Sequence, residues 1–594
     1  MGAALASGRL QVGCQALTHN TLVARVVPDV SGIDKQFDYL VPPPFEPRVR
    51  PGAVVRVVLN GRRVDAWVVA LGRAGDPEFS VVASERLAPI IDVSDLGVDE
   101  SVVPLAGWVA SHWSGPLRNV LSSATPSRKR ARTTHARHGR SHGANTTPSP
   151  GVSALLGSRG GVLRVPPLES AMSVVVEAAA RGAVLVLCPT LRMARLGAAF
   201  LRRKGLTTAE LPDQVDSAIA GVDVVIGARS AVLAPCAGMA SIVVIDEHEE
   251  SYHDERVPTW WAPEIAWERG RRAGVPVILT SPVPSAAAEL LCGGISDPFP
   301  PGQGWPRILI VNLLDVPVRG SLLSAELLES VRTADGSVLC VLNTKGTARM
   351  LACKSCRALQ TCSSCNGAVE SAGDELSCPV CRETRAAVCG SCGRTALVNV
   401  RSGTGRLTEE LSAAGPMPVV EVTASSEGVG GPSGVYVGTD ALLHRVSAAS
   451  TVVFLDIDRD LSAPRMSAGR DALASVARAA RIVGRAGRII IQTRQPHHPL
   501  LEALAGGHVD EYLRADTQLV RMMGLPPFST VAVMSAEPPV EERCIPDVPG
   551  VEWSRNGDRI VARSVDRSLL LDFVARVRAA SASRVRVAVN PPRL

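Results

Sequence analysis

Eight cysteines stand in four Cys-x-x-Cys pairs, Cys353/Cys356, Cys362/Cys365, Cys378/Cys381 and Cys389/Cys392, within forty residues. Two thiolates at this spacing reach one ion from a tight turn, and a tetrahedral Zn2+ takes two such pairs. Eight thiols therefore predict two zinc ions. Which pairs share an ion is left open by the spacing alone. A set of disulfides is the alternative, but no signal peptide precedes the chain, and the reducing cytosol this implies disfavours them. The other cysteines (Cys14, Cys188, Cys236, Cys292, Cys340 and Cys544) lack pair spacing and are expected to be incidental thiols.

A chain of 594 residues is too long for a single core. With 46% hydrophobic and 20% charged residues and no apolar run of membrane-spanning length, it is expected to be a soluble, cytoplasmic, nucleoid-associated monomer that engages no membrane. Net charge is +6, which permits contact with a polyanion without requiring it. The positive charge is almost all arginine, since the lysines are only Lys35, Lys129, Lys204, Lys345 and Lys354.

Alternating apolar and polar residues over 21–41 and 51–72 predict a small antiparallel β domain within residues 1–100. A helical region spans 101–125. Residues 126–150, with Arg128, Lys129, Arg130, Arg132, Arg137 and Arg140 and no apolar face, predict a basic disordered linker. From residue 155 short apolar runs alternate with helix-like stretches: Val184 to Cys188, Val222 to Ile226, Ile242 to Ile245, Val277 to Leu279, Val338 to Leu342, Val419 to Val422, Val452 to Leu455 and Ile489 to Ile491. Apolar strands alternating with helices imply parallel sheets covered on both faces. The predicted architecture is a multidomain α/β chain with parallel-sheet lobes over 151–300 and over 301–349 plus 396–500. A cysteine-rich insert occupies 350–395 within the second lobe, and a small α/β domain closes the chain over 501–594.

This order of parts resembles the primosomal protein N-prime, or PriA, replication-restart helicases. The resemblance rests on FDYLVP (Phe37 to Pro42), VRPGAVVRV (Val49 to Val57), VIGARSA (Val225 to Ala231), VVIDE (Val243 to Glu247), the eight-cysteine insert, RMMGLPPFS (Arg521 to Ser529) and VNPP (Val589 to Pro592). It implies two RecA-like lobes of an ATP-driven, 3′-to-5′ DNA helicase of superfamily 2. It also implies that the outer pairs Cys353, Cys356, Cys389 and Cys392 hold one ion and the inner pairs Cys362, Cys365, Cys378 and Cys381 the other.

The ATP motifs depart from the family pattern, making ATP a doubtful cofactor. A phosphate loop needs glycines, a lysine and a hydroxyl in G-x-x-x-x-G-K-[ST] order. The segment at that place reads Arg164-Val-Pro-Pro-Leu-Glu-Ser170, and its two prolines remove N–H donors. The DEAH-type box reads Asp246-Glu247-His248-Glu249, keeping the acids as a vestige but moving the histidine one place early. Ser281-Pro282-Val283 stands for Ser-Ala-Thr, and Gly438-Thr439 is followed by His444-Arg445 instead of Lys-Gly. GRAGR (Gly484 to Arg488) matches the arginine-finger string but leaves little chain before the IIIQT strand; an alternative register puts Arg481 in the first arginine's place. These arginines are expected to form salt bridges or face DNA, with little or no ATP hydrolysis.

Three elements imply DNA contact by the resemblance. Phe37, Asp38 and Tyr39 match a pocket for a DNA 3′ end, in which a carboxylate accepts the terminal hydroxyl's proton and a ring stacks on the base. The alternative is an ordinary strand with one ring inward and one outward. The cysteine insert carries Arg357, Arg382, Arg385 and Arg394, suiting DNA contact or protein docking. The C-terminal domain would meet branched DNA and single-strand-binding protein, with Arg584 and Arg586 exposed. The leading expectation is a primosome protein that binds stalled or forked DNA and helps reload the replicative helicase, through that helicase or its loader, without unwinding. An active helicase with an unconventional nucleotide site is the alternative, and a zinc-ribbon regulator outside replication a third.

Overall fold

The computed structural model describes residues 21–74, 76–79, 87–126, 149–316, 322–343, 351–364, 369–378, 381–399, 404–422, 426 and 433–591. Cys365, Lys345, Pro592 and nearly all of the basic segment 126–150 lie outside them.

Period-two alternation produces the N-terminal sheet, whose antiparallel strands run in the order Phe37–Leu40, Leu22–Pro28, Arg62–Arg73, Ala53–Leu59, Asp92–Gly97. Its inward side chains, among them Val26, Val55, Val57 and Val68, make a core of their own. Helices Val102–His112 and Leu117–Ala124 follow and bury Val109, Trp113 and Leu121 against the next lobe.

The first lobe is a parallel sheet in the order Ile295–Ser296, Gly160–Arg164, Val277–Ser281, Met239–Val244, Ala183–Leu187, Val224–Gly227, Thr208–Glu210. Its central strands are buried on both faces, which is why they read as unbroken apolar runs. The second lobe is also parallel: Arg307–Asn312, Arg488–Thr493, Thr451–Phe454, Ser337–Val341, Gly434–Gly438, Val419–Val422. Two RecA-like lobes are thus present. Helices Pro499–Gly506 and Val509–Met522 bury Leu500, Leu501, Leu504 and Leu513 in the second lobe's core, so that lobe runs past the expected boundary at residue 500. The apolar stripe on these helices needed a partner, and the sheet face beside them supplied it.

The C-terminal unit is an antiparallel sheet, Glu552–Asn556, Arg559–Ser564, Thr530–Ser535, Arg586–Val589, covered on one face by helix Arg567–Ala580. Phe573, Val574 and Met534 belong to one apolar cluster with Trp113 and with Ile265 of the first lobe. Arg567 and Arg578 tie this unit to the carbonyls of His112 and Ser114 at 2.9 and 2.7 Å. Chain ends far apart in sequence therefore clamp the same flank of the first lobe.

Candidate functional site

The first lobe's parallel sheet places the carboxyl ends of its strands toward the cleft between the lobes, the edge where open α/β sheets bind ligands, and helix Ala468–Val483 of the second lobe faces them. Strand Gly160–Arg164 ends there in the loop Val165 to Ser170, before helix Ala171–Ala179. Pro166 and Pro167 have no N–H to offer. The Val165 N–H donates to the Ser281 carbonyl (2.9 Å), Leu168 to Gly304 (3.0 Å) and Glu169 to Pro166 (2.9 Å). Gly304 presses so closely that a Cβ there would meet Pro166 Cβ at 2.4 Å. These donors face protein carbonyls.

Asp246 and Glu247 follow just after strand Met239–Val244, at 1% and 0% exposure. Asp246 turns the chain with a φ of 53°, a left-handed conformation sparsely populated by residues with a Cβ. Its carboxylate accepts two 2.6 Å bonds from Arg481 Nη1 and Nη2 on helix Ala468–Val483 of the other lobe. Burial pushes this carboxyl up, and the Arg481 guanidinium more than offsets that, leaving Asp246 below the ordinary aspartate value. Arg478, one turn earlier, donates to Glu249 at 2.6 Å. Past the helix end, Arg485 donates to Glu169 of the loop at 2.7 Å. Of the arginines expected to form salt bridges or face DNA, Arg481 and Arg485 form salt bridges, whereas Arg488 donates to Ser330 Oγ at 3.0 Å; GRAGR spans the turn between the helix ending at Val483 and the strand starting at Arg488.

Glu247 does different work. Its oxygens accept from Ser285 N–H at 2.7 Å and Ser285 Oγ at 2.8 Å, so it fixes the serine whose Oγ caps helix Ala286–Cys292 by accepting from the Ala288 N–H. His248 is largely buried, with Nδ1 2.7 Å from Ser281 Oγ, and desolvation lowers its pKa. Burial pushes the Glu247 carboxyl up from 4.5 to about 7 against the pull of both Ser285 bonds. A carboxyl whose folded pKa exceeds its unfolded one costs stability as pH climbs between the two values, with no further change above the higher. Glu247→Gln keeps an acceptor for the Ser285 N–H and removes this titration. Relative to wild type it should gain on the order of 2 kcal/mol between pH 5 and pH 8 in denaturant titrations. A difference that stays flat with pH would contradict this account.

In the cysteine insert, Cys353, Cys356, Cys389 and Cys392 bring their sulfurs within 4.8 Å of one another, and so do Cys362, Cys378 and Cys381. Cys365 lies outside the described residues. The Cys353–Cys392 and Cys356–Cys389 sulfurs are each 3.5 Å apart. Four sulfurs about 2.3 Å from one ion would stand about 3.8 Å apart, so the donor set fits tetrahedral Zn2+. Local backbone explains the convergence. After three of the pairs the chain turns left-handed, at Arg357 (φ 63°), Arg382 (φ 61°) and Gly393 (φ 71°). Each of these residues donates its N–H back to the carbonyl of the first cysteine, at 2.8 to 2.9 Å. Arg357, expected on a basic surface, instead points Nη1 at the Leu314 and Val316 carbonyls and moors the insert to the second lobe. Arg385 reaches Gln360, and Arg394 lies 3.4 Å from Ser355 Oγ.

Phe37, Asp38 and Tyr39 lie on the strand at the edge of the N-terminal sheet. Residues two apart in a strand share a face, so Phe37 and Tyr39 both pack toward the core and neither points outward alone, contrary to the one-in, one-out expectation. Tyr39 is 5% exposed and donates to the Val58 carbonyl at 2.8 Å, which leaves no face for a base. Asp38 stands on the opposite face, opposite Arg25, and its oxygens accept from Arg25 Nε (2.8 Å) and Nη2 (3.0 Å). The Arg25 guanidinium lies 4.6 Å over the Phe79 ring. Residue types and spacing do not point to Arg25 or Phe79; the strand register brings Arg25 to Asp38, and the short helix Pro77–Phe79 brings the Phe79 ring under Arg25.

Residues 25–126 match the PriA 3′DNA-binding domain (3′BD). The probable replication restart protein PriA of Mycobacterium bovis is 26% identical over 572 residues, covering 85% of each chain. The replication restart protein PriA of Haemophilus influenzae is also 26% identical, over 53% of this chain and 47% of its own length, so the chain spans about half of that relative. The solved structure of S. cerevisiae Dbp5 bound to RNA and ADP BeF3 covers 63% of this chain and 94% of its own at 13% identity and TM-score 0.34, a loose superposition. The chain is thus similar to the PriA proteins, over residues 25–126 to their 3′DNA-binding domain and, at 26% identity, along most of its length.

Proposed function

We propose that this protein is a replication restart factor that binds stalled or forked DNA and helps reload the replicative helicase as a scaffold that does not unwind DNA. The DNA-binding part of this reading rests on the matched 3′DNA-binding domain, and the restart role on the likeness to the PriA proteins. The observation that carries its non-motor part is the cleft. Arg481 occupies both oxygens of the acid that would hold a metal ion beside a triphosphate, and the loop that would cradle phosphates directs the N–H groups of Val165, Leu168 and Glu169 into protein. Glu247, the acid that would position an attacking water, is engaged by a helix N-terminus. Primosome components, the replicative helicase or its loader, and single-strand-binding protein are the partners this reading assigns, and two Zn2+ are its metal ions.

At the DNA end, Asp38 is the member of the Phe37–Asp38–Tyr39 set assigned to the terminal 3′ hydroxyl, with Phe37 beside it and Tyr39 as buried support. One experiment tests both halves: binding to a fork with a free or a blocked 3′ end, run beside a DNA-stimulated ATPase assay. Wild type should prefer the free end, and Asp38→Asn should reduce that preference by about tenfold or more, the weight of one hydrogen bond to a charged group. ATP turnover should not exceed that of Glu247→Gln. Equal binding of free and blocked ends would remove the end-reading role, and turnover above the control would establish the helicase instead.

A further inference from the structure

The charges that face each other across the cleft are sorted by lobe. Glu169, Asp246 and Glu249 belong to the first lobe, and Arg485, Arg481 and Arg478 to the second, where they ride on one helix and the turn after it. Arg478 and Arg481 are three residues apart and so share a helix face. From the start of the same helix, Arg470 donates to the Pro284 carbonyl of the first lobe, and Thr517 donates to Glu289 at 2.9 Å. Between these polar contacts Val283 of the first lobe, 1% exposed, sits inside the apolar core of the second. The groups facing Arg478 also include Asp440 of its own lobe, at 3.6 Å.

We propose that helix Ala468–Val483 and Arg485 form a built-in latch that holds the two lobes closed with no ligand between them. Two walls that both need a bound group to satisfy their charges drift apart when it leaves. Here the walls carry opposite charges at contact distance and satisfy each other, while Val283 adds an apolar plug that opening would expose. Closure is then the resting state of this chain. An anion entering the cleft must displace Asp246 from Arg481, an exchange that leaves a buried carboxylate unpaired. The inference stands apart from the proposed function, because closure is measured without nucleotide or DNA.

The full-length, metal-loaded chain tests it by small-angle X-ray scattering and by proteinase K cleavage of the connection between the lobes near residues 297–306. Wild type should scatter as a compact particle and resist cleavage. R478Q/R481Q/R485Q, with unchanged far-UV circular dichroism, should expand and be cut at least tenfold faster. R485E, at an exposed pair, should be cut roughly threefold faster, and the swap E169R/R485E should return the rate toward wild type. A triple variant that folds yet remains as compact and resistant as wild type overturns the latch. Should the triple variant not fold, the exposed pair decides: recovery in the swap supports the latch, and a swap no better than R485E overturns it.

Discussion

Stripping the metal should unfold the cysteine insert, and replacing Cys389 by serine should unfold the part of it around the outer cysteine cluster, with both sheet lobes left intact. The described part of the insert has strands of only three residues each, such as Leu351–Cys353 and Glu375–Ser377. Its apolar core is Leu351, Val369 and Leu376 together with Cys362 and Cys378, so even the cysteines serve as core. So small a core cannot offset the conformational entropy of ordering the chain. Structural zinc contributes about 10–16 kcal/mol in comparably small domains, more than any apolar contact the insert makes. Cys389 is 2% exposed and accepts from the Ser391 N–H and Gln360 Nε2, both at 3.4 Å. Serine there should lower zinc from two ions per chain to one and open the insert to protease. The lobes should keep their unfolding transition, since the insert is moored to the second lobe by Arg357 bonds to loop carbonyls. Metal analysis with native mass spectrometry checks this. Full protease resistance after chelation, or eight thiols found as disulfides, would sink the assignment.

Arg481→Ala should be the most destabilising point substitution in the cleft. Asp246 is 1% exposed and depends on this bidentate partner, and removing one partner of a buried pair typically costs about 3–5 kcal/mol. Because 30% of the Arg481 side chain reaches solvent, the lower end of that range is expected. The pH dependence gives the mechanism a second check. In wild type the folded pKa of Asp246 lies below its ordinary value, so the pair's contribution is present at neutral pH and is lost only in acid, as pH falls through that folded value. In the variant the strongest opposing group is gone, and burial, resisted only by Arg478 and His248, raises the same carboxyl. Protonation then relieves the unpaired charge, and the gap between variant and wild type should shrink from pH 7.5 to pH 5. Urea titrations at both values measure it. A gap under about 1 kcal/mol at pH 7.5, or one that widens in acid, would show that the pair does not hold the cleft in this way.

How far the sequence could be read depended on the range of the interaction. The Cys-x-x-Cys pairs were legible because the turn that aims two sulfurs at one point is made by neighbouring residues, closed by bonds such as Arg357 N–H to Cys353 carbonyl. Apolar strands such as Ala183–Leu187 and Thr451–Phe454 were legible because burial on both faces demands an unbroken apolar run. Strands Thr208–Glu210 and Arg307–Asn312 were not, since short or partly exposed strands carry too little of that pattern. The face shared by Phe37 and Tyr39 follows from strand periodicity, yet the Arg25 partner of Asp38 needed the register of two strands.

Residue types alone pointed to two sets of thiols spaced as metal ligands, to α/β units built on parallel sheets, and to the two prolines, Pro166 and Pro167, after the first strand of the first lobe. Only the tertiary structure decided what fills the cleft. Asp246 and Arg481 are 235 residues apart, and nothing local to either one names the other. Their pairing exists because packing lays helix Ala468–Val483 of the second lobe against the carboxyl ends of the first lobe's strands, and a buried carboxylate there must find a cation from whichever chain segment the packing delivers.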